Sequence, residues 1–278
     1  MPELPEVEII VRELRASHLL GLKIREVVVF WPRSIAEPSI EEFCQQIRNQ
    51  TIKDITRRGK YIVFSLSQQT LLVHLRMTGK FSISMQQEIK SSHERVQLRL
   101  ADGRTLHYED QRKFGKWYLL FDPRTKLHNL GIEPLSEAFT LKAFQQLLKT
   151  SSQQIKPFLL DQKHLVGLGN IYVDEALWAS KIHPEQKTNE VKQAQIKTLH
   201  VAIIDVLKQG IEYQGTTLGS TRANYYSVSG QRGGHQTQLK VFRRDGLHCP
   251  RCQTEIIRIK VAQRSSHICP KCQKKTYS

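Results

Sequence analysis

At about 150 residues per domain, a chain of 278 residues divides into roughly two domains. Hydrophobic residues make up 39% and mean hydropathy is −0.42, so a sizeable core can form and wholesale disorder is excluded. Forty-two Lys and Arg against 26 Asp and Glu leave a net charge of +16, the balance of a protein whose partner is a polyanion, most often nucleic acid.

In chain order, Val7, Ile10, Val11, Leu14 and Leu19 recur at helical spacing over 6–20, with Gly21 as a stop. Cys44 lies on a second short helical pattern, Ile40–Ile47, and reads as a helix thiol rather than a nucleophile. Short β-rich runs occupy Lys23–Phe30, Tyr61–Leu66, Thr70–Leu75, Arg95–Leu100 and Lys116–Phe121, with Asp102-Gly103 as a hairpin signal. Many short strands without helices between them predict a sandwich or barrel. From about Leu135 the period turns helical, over Leu141–Leu148, Ile171–Ala179 and Glu190–Ile211. Val166-Gly167-Leu168-Gly169-Asn170 is a tight turn opening a helix, where free backbone N–H groups suit a phosphate; alone it reads equally as a helix–helix connection. Residues 214–238, rich in Gly, Ser, Thr, Gln and Asn, read as a long mobile loop. No apolar run approaches the roughly 18 residues of a membrane span, and Glu3, Glu6 and Glu8 are wrong for a signal peptide, so a cytoplasmic protein without a membrane partner is expected.

The last 40 residues carry ten Lys and Arg against Asp245 and Glu255, half the net charge. Four of the five cysteines share this stretch as Cys249-x2-Cys252 and Cys269-x2-Cys272, with sixteen residues between the pairs. That spacing makes a closed four-thiolate site for one structural Zn2+; two disulfides would need an oxidising compartment that nothing else supports. Residues 255–261 alternate as one arm of a hairpin, and a ribbon this small depends on its metal for its fold.

Chemistry is most readable at Met1-Pro2-Glu3-Leu4-Pro5-Glu6-Val7-Glu8. Removal of the initiator methionine before a small residue would leave Pro2 a free secondary amine, which can attack a carbonyl-level carbon and form a charged iminium. The iminium acidifies the neighbouring C–H bond, and Glu3 beside it can shuttle protons. Judged on helix physics alone, the same residues read as caps: proline suits a first turn, and carboxylates suit its positive end.

This opening resembles that of bacterial formamidopyrimidine-DNA glycosylases. Arg58-Gly59-Lys60-Tyr61, His74-Leu75-Arg76-Met77-Thr78-Gly79, Asp110-Gln111-Arg112-Lys113-Phe114-Gly115, and Leu160-Asp161-Gln162 through Gly167-Leu168-Gly169-Asn170-Ile171-Tyr172 are similar to family segments in the right order, and the Cys-Pro-x-Cys ribbon completes the match. The resemblance implies an α+β multidomain fold: an N-terminal helix and β-sandwich (1–134), a helix–two-turn–helix domain with a polar loop capping the flipped base (135–238), and a zinc ribbon (239–278). It implies a monomeric bacterial repair enzyme, associated with the nucleoid through DNA, that excises oxidised purines (8-oxoguanine, formamidopyrimidines) from duplex DNA and then cleaves the strand at the abasic site by β,δ-elimination. Pro2 would be the nucleophile and Glu3 the acid. Lys60 and Arg264 would assist the lyase steps, although a generic cation at either place reads as a phosphate contact. Met77, Arg112 and Phe114 would form the wedge that fills the void left by the flipped base; without the resemblance, Met77 and Phe114 read as core. His93, Lys156 and Asn170 would contact DNA, and Glu6 would help set up the site.

Gln263 and Arg243 stand where the family usually has Gly, which makes the backbone there the point to inspect. Ser151, Ser152 and Gln153 replace basic residues, and the 214–238 loop departs from the commonest family wording. An endonuclease VIII-like enzyme for oxidised pyrimidines is the alternative of the same class, although that group usually opens with Gly in place of Leu4. A non-catalytic zinc-ribbon DNA-binding protein is the alternative of another class, with no reason to require Pro2, Glu3 and Lys60 together.

Overall fold

The computed structural model describes residues 1–85, 91–219 and 224–275, in two compact units. The first comprises 1–128 with 213–236, the second 129–212 with the residues from 237 on.

In the first unit, α1 (Leu4–Ala16) is followed by β1 (Ile24–Val29), β2 (Ile35–Glu37), α2 (Ile40–Ile47), β3 (Ile52–Arg58), β4 (Tyr61–Leu66), β5 (Thr70–His74), β6 (Gly79–Ser84), β7 (Glu94–Leu100), β8 (Thr105–Asp110), β9 (Lys116–Leu120) and the short α3 (Arg124–Leu127). The strands form two sheets, β1-β7-β8-β6 and β2-β9-β5-β4-β3. The pairings are antiparallel except β2 with β9. The sandwich core gathers Ile52, Ile55, Ile62, Phe64, Leu71, Phe81, Val96, Leu98, Leu106, Tyr108 and Trp117. Val7, Ile10, Val11 and Leu14 of α1 join it, which is the face the helical spacing marked.

α1 starts two residues earlier than its apolar pattern, because Pro5 sits in the first turn and Glu6 reaches back to the N-cap of the helix. It stops at Ala16 because His18 turns left-handed, φ 54°. Strand β3 was not expected: Lys53, Asp54, Arg57 and Arg58 leave only Ile52 and Ile55 to mark its buried face.

The segment 213–236, expected with the helices and as a loose loop, packs with the sandwich instead. Tyr225 and Val228 enter the core, and its polar side chains bond one another. Thr216 Oγ1 and His235 Nδ1 are 3.0 Å apart, Thr217 Oγ1 donates to the Tyr225 carbonyl, and the Leu218 N–H donates to Asn224 Oδ1. Residues 220–223 of that loop lie outside the described residues.

The second unit contains α4 (Leu141–Lys149), α5 (Ile155–Leu160), α6 (Asn170–Ala179), α7 (Gln193–Glu212) and the hairpin β10 (Ile257–Val261) and β11 (Arg264–Ile268). Helix α5, six residues around Pro157, is too short to register as a period. The α5–turn–turn–α6 pair and the ribbon share this one unit, joined by two adjacent acids of α6. Asp174 accepts the His267 N–H of β11 at 2.9 Å. Glu175, buried, accepts the N–H groups of Lys240, Val241 and Phe242 at 2.8–2.9 Å on the turn leading into the ribbon. Both glycine replacements keep a left-handed backbone. Arg243 has φ 57°, and Ala262-Gln263 form the two-residue β10–β11 turn with φ 43° and 65°, the I′ pattern that glycine favours.

Candidate active site and metal centre

Pro2, Glu3 and Glu6 are all buried at the start of α1. The Glu6 carboxylate is shared: Oε2 accepts the Glu3 N–H at 2.7 Å, and Oε1 accepts the Thr216 N–H at 2.8 Å. One carboxylate therefore fixes both the residue beside Pro2 and the beginning of the 213–236 segment. Gly215 is required at that junction: its φ is 80°, and a Cβ there would lie 3.0 Å from Glu6 Cγ and 2.9 Å from the Tyr225 ring. Farther along α1, Glu13 accepts the Ser229 N–H at 2.9 Å and holds the same segment a second time.

Lys60, also buried, sits with Gly59 in the two-residue turn joining β3 and β4. Arg57 braces this turn by donating to the Gly59 carbonyl at 3.0 Å and to Glu8 of α1 at 3.1 Å. Beside Lys60 lies His74, which sequence reasoning did not single out although it opens the His74–Gly79 motif. Its Nδ1 accepts the Arg76 N–H at 3.0 Å, and its ring meets Tyr61 edge-on. Burial, then the positive charges of Arg76 and Lys60, push its pKa down to about 3, so the imidazole is neutral and carries its proton on Nε2.

Met77, Arg112 and Phe114 come together on two loops organised by buried Asp110. One Asp110 carboxylate oxygen takes the Thr78 hydroxyl and the Arg112 N–H, and the other takes the Gly115 N–H at 2.7 Å. A side chain at Gly115 would collide with Tyr108, whose hydroxyl oxygen lies 1.7 Å from the Cβ position. Arg112 bridges its neighbours, with Nη1 2.8 Å from Met77 Sδ and the guanidinium 4.8 Å over the Phe114 ring. Met77 is 38% and Phe114 48% exposed, so neither is a core residue. His93 is exposed, and its carbonyl accepts the Asp110 N–H at 2.8 Å.

In the second unit, Gln162 shapes the glycine-rich turn by accepting the Gly167 N–H and donating to the Leu168 carbonyl. Asn170 opens α6 there, and its Nδ2 donates to the Ser265 carbonyl at 3.0 Å. Lys156 differs from its expected place as a DNA contact. It is 0% exposed, with Nζ 2.6 Å from Asp174 Oδ1 and 2.8 Å from the same Ser265 carbonyl. Arg264, the next residue back, is exposed at the start of β11, directly after the β10–β11 turn.

The thiols of Cys249, Cys252, Cys269 and Cys272 lie within 4.8 Å of one another, and none forms a disulfide. Sulfur separations of 3.4, 3.5 and 4.0 Å bracket the roughly 3.8 Å that tetrahedral Zn–S bonds of about 2.3 Å impose. The Trp178 indole N–H is directed at Cys249 Sγ at 3.5 Å, and the Cys272 N–H at Cys269 Sγ at 3.4 Å, as suits thiolates held on a cation. Val241, Ile256 and Trp178 pack around the four sulfurs as a small satellite core.

The arrangement can be set beside known proteins. Residues 1–117 match the formamidopyrimidine-DNA glycosylase N-terminal domain, 130–222 the H2TH domain of the same enzymes, and 246–275 the zinc finger found in FPG and IleRS. A formamidopyrimidine-DNA glycosylase of Protochlamydia amoebophila (strain UWE25) is 49% identical over 253 residues, covering 91% of this chain and 92% of that protein. Its counterpart in Enterococcus faecalis is 45% identical, covering 94% and 92%. Among solved structures, a Lactococcus lactis Fpg mutant in complex with Fapy-dG-containing DNA has a TM-score of 0.91 at 39% identity, over 99% of this chain and 100% of that one. The Lactococcus lactis Fpg with abasic-site DNA gives 0.90 at 38%, over 98% and 100%. With all three domain models matched in order and such identity over nine-tenths of its length, the chain belongs to the formamidopyrimidine-DNA glycosylase family, as a base excision repair glycosylase with one structural zinc site.

Proposed function

We propose that this protein removes oxidised purines from duplex DNA through a Schiff base on Pro2 and then cleaves the strand by β,δ-elimination. The observation that carries the reading is the buried cluster at the start of α1, where Pro2 lies beside Glu3, whose N–H is held by a carboxylate that also holds the 213–236 segment. With Met1 removed, the Pro2 nitrogen attacks C1′ of a flipped nucleotide as the bond from C1′ to the base breaks. Glu3 donates a proton to the sugar ring oxygen as the ring opens to the iminium. Loss of a proton from C2′ expels the 3′-phosphate, and a second elimination expels the 5′-phosphate, leaving a one-nucleotide gap.

Lys60 holds a phosphate next to these steps, and neutral His74 leaves that ammonium to face the anion without a second positive ring. Arg264 assists the second elimination from the ribbon. Met77, Arg112 and Phe114 enter the void left by the flipped base, while His93 and Asn170 contact phosphates. The partner is double-stranded DNA with oxidised bases or abasic sites, bound by a monomer in the bacterial cytoplasm and associated with the nucleoid through DNA. The division of labour follows three parts, the sandwich (1–134), the helices (from 135) and the ribbon (239–278), with 213–236, packed with the sandwich, working as the cap over the flipped base.

Duplexes carrying 8-oxoguanine, a formamidopyrimidine or an oxidised pyrimidine test the base choice. Release of the two purine lesions at least tenfold faster than the pyrimidine is expected. The reverse order would assign the protein to the oxidised-pyrimidine class, and binding without any release would leave a DNA-binding module.

A further inference from the structure

Lys156 is a fully enclosed lysine that the reaction has not used, and such a residue is rare unless its charge is paired. Its ammonium spans two elements of the same unit. Asp174 Oδ1 on α6 is 2.6 Å away, and the Ser265 carbonyl on β11 is 2.8 Å away. The other oxygen of Asp174 accepts the His267 N–H at 2.9 Å and lies 3.1 Å from His267 Nδ1, two residues farther along β11. Asn170 Nδ2 donates to the same Ser265 carbonyl at 3.0 Å. The strand β11 is thus pinned at 265 and 267, immediately after Arg264, by side chains from α5 and α6.

That pinning has a consequence for Arg264. The residue sits at the end of a two-residue turn whose members, Ala262 and Gln263, are both left-handed without being glycine. On the β10 side the turn is held by the ladder with β11, and Ser265 is the first residue past Arg264 on β11. A carbonyl with two donors cannot rotate without losing both, so the Ser265–Ser266 peptide has one orientation and Arg264 leaves β11 one residue before a fixed point. From this geometry we infer that Lys156 is a positioning residue for Arg264: the Asp174–Lys156–Ser265 tether aims the arginine of the ribbon turn, and Lys156 itself touches no DNA. The inference rests on the proposed role of Arg264 in the second elimination and assigns that role a support.

Lys156→Met removes the ammonium while keeping an unbranched side chain, and Asp174→Asn keeps an acceptor for His267 while removing the charge that holds Lys156. Each variant, zinc-loaded and full length, is assayed on a duplex with one abasic site. Three readouts are taken: zinc per chain, the yield of borohydride-trapped adduct, and the split between β and β,δ products resolved by their end groups. Zinc stays at one per chain and trapping within about twofold of the unsubstituted protein, while the β,δ fraction falls about tenfold and β product accumulates. An unchanged product split in either folded, zinc-replete variant overturns the tether. So does a parallel loss of trapping and both products with zinc, which would make Lys156 a fold-stabilising residue only. If the unsubstituted protein neither traps nor cleaves, the lyase reading itself fails, an outcome distinct from failure of the tether.

Discussion

His74 shows how a residue unremarkable in sequence becomes a constraint in the fold. Held near pKa 3 by burial and by Arg76 and Lys60, it stays neutral where an unfolded chain would take up a proton below about 6.5. The folded state therefore binds fewer protons than the unfolded state between those values, and stability is lost as pH falls from about 6.5 toward 3. The slope from one such group approaches 1.4 kcal/mol per pH unit. Urea midpoints measured from pH 7 to pH 4 should fall more steeply for the unsubstituted protein than for His74→Gln, whose side chain does not titrate. Parallel slopes would mean that His74 is accessible to protons in the fold. Pro2 and Glu3 could be singled out because the proposed chemistry lies in two adjacent residues of an opening that resembles the family's. His74 and Lys156 were not legible, because their meaning comes from partners the sequence does not mark: Lys60 across a hairpin, Asp174 eighteen residues on and Ser265 109 residues on.

Among the elements, those with clean alternation or clean helical period read directly. The β4 run coincides with its strand, and α4, α6 and α7 fall where the period changed. What failed to read did so for identifiable reasons: charges along β3, the brevity and proline of α5, and the polar composition of 213–236. That segment is rich in Ser, Thr, Gln and Asn because it satisfies its own backbone, as the Thr217 bonds to Tyr225 and Gly233 show. The β10–β11 turn supplies a test at this scale. Left-handed conformation costs a residue with a side chain about 1–2 kcal/mol, part of which glycine returns through its freedom when unfolded. Gln263→Gly is expected to stabilise the zinc-loaded protein by up to about 1 kcal/mol, read as a raised thermal midpoint with strand cleavage unchanged. A lowered midpoint would show that the Gln263 side chain contributes more than the turn geometry costs.

Across the whole molecule, stability is divided unequally. The sandwich has a large apolar core, whereas the ribbon has a handful of buried residues around four thiols. Among the described residues no helix is long and apolar enough to cross a membrane. Zinc binding is therefore folding free energy for the ribbon and almost irrelevant to the sandwich. Chelation at neutral pH should release one zinc per chain, expose four titratable thiols and abolish tight DNA binding. The sandwich should keep its near-ultraviolet aromatic signal from Trp117 and Tyr108. Simultaneous loss of that signal would show that the metal holds more than the ribbon.

The claim on which the rest depends is that Pro2 is the nucleophile. Borohydride reduction in the presence of a duplex with one 8-oxoguanine, followed by mass spectrometry of the N-terminal peptide, addresses it in one step. The predicted result is an adduct on Pro2 in a chain lacking Met1. Binding of the duplex with no adduct, on this lesion or on an abasic site, or an adduct located on Lys60, would contradict it.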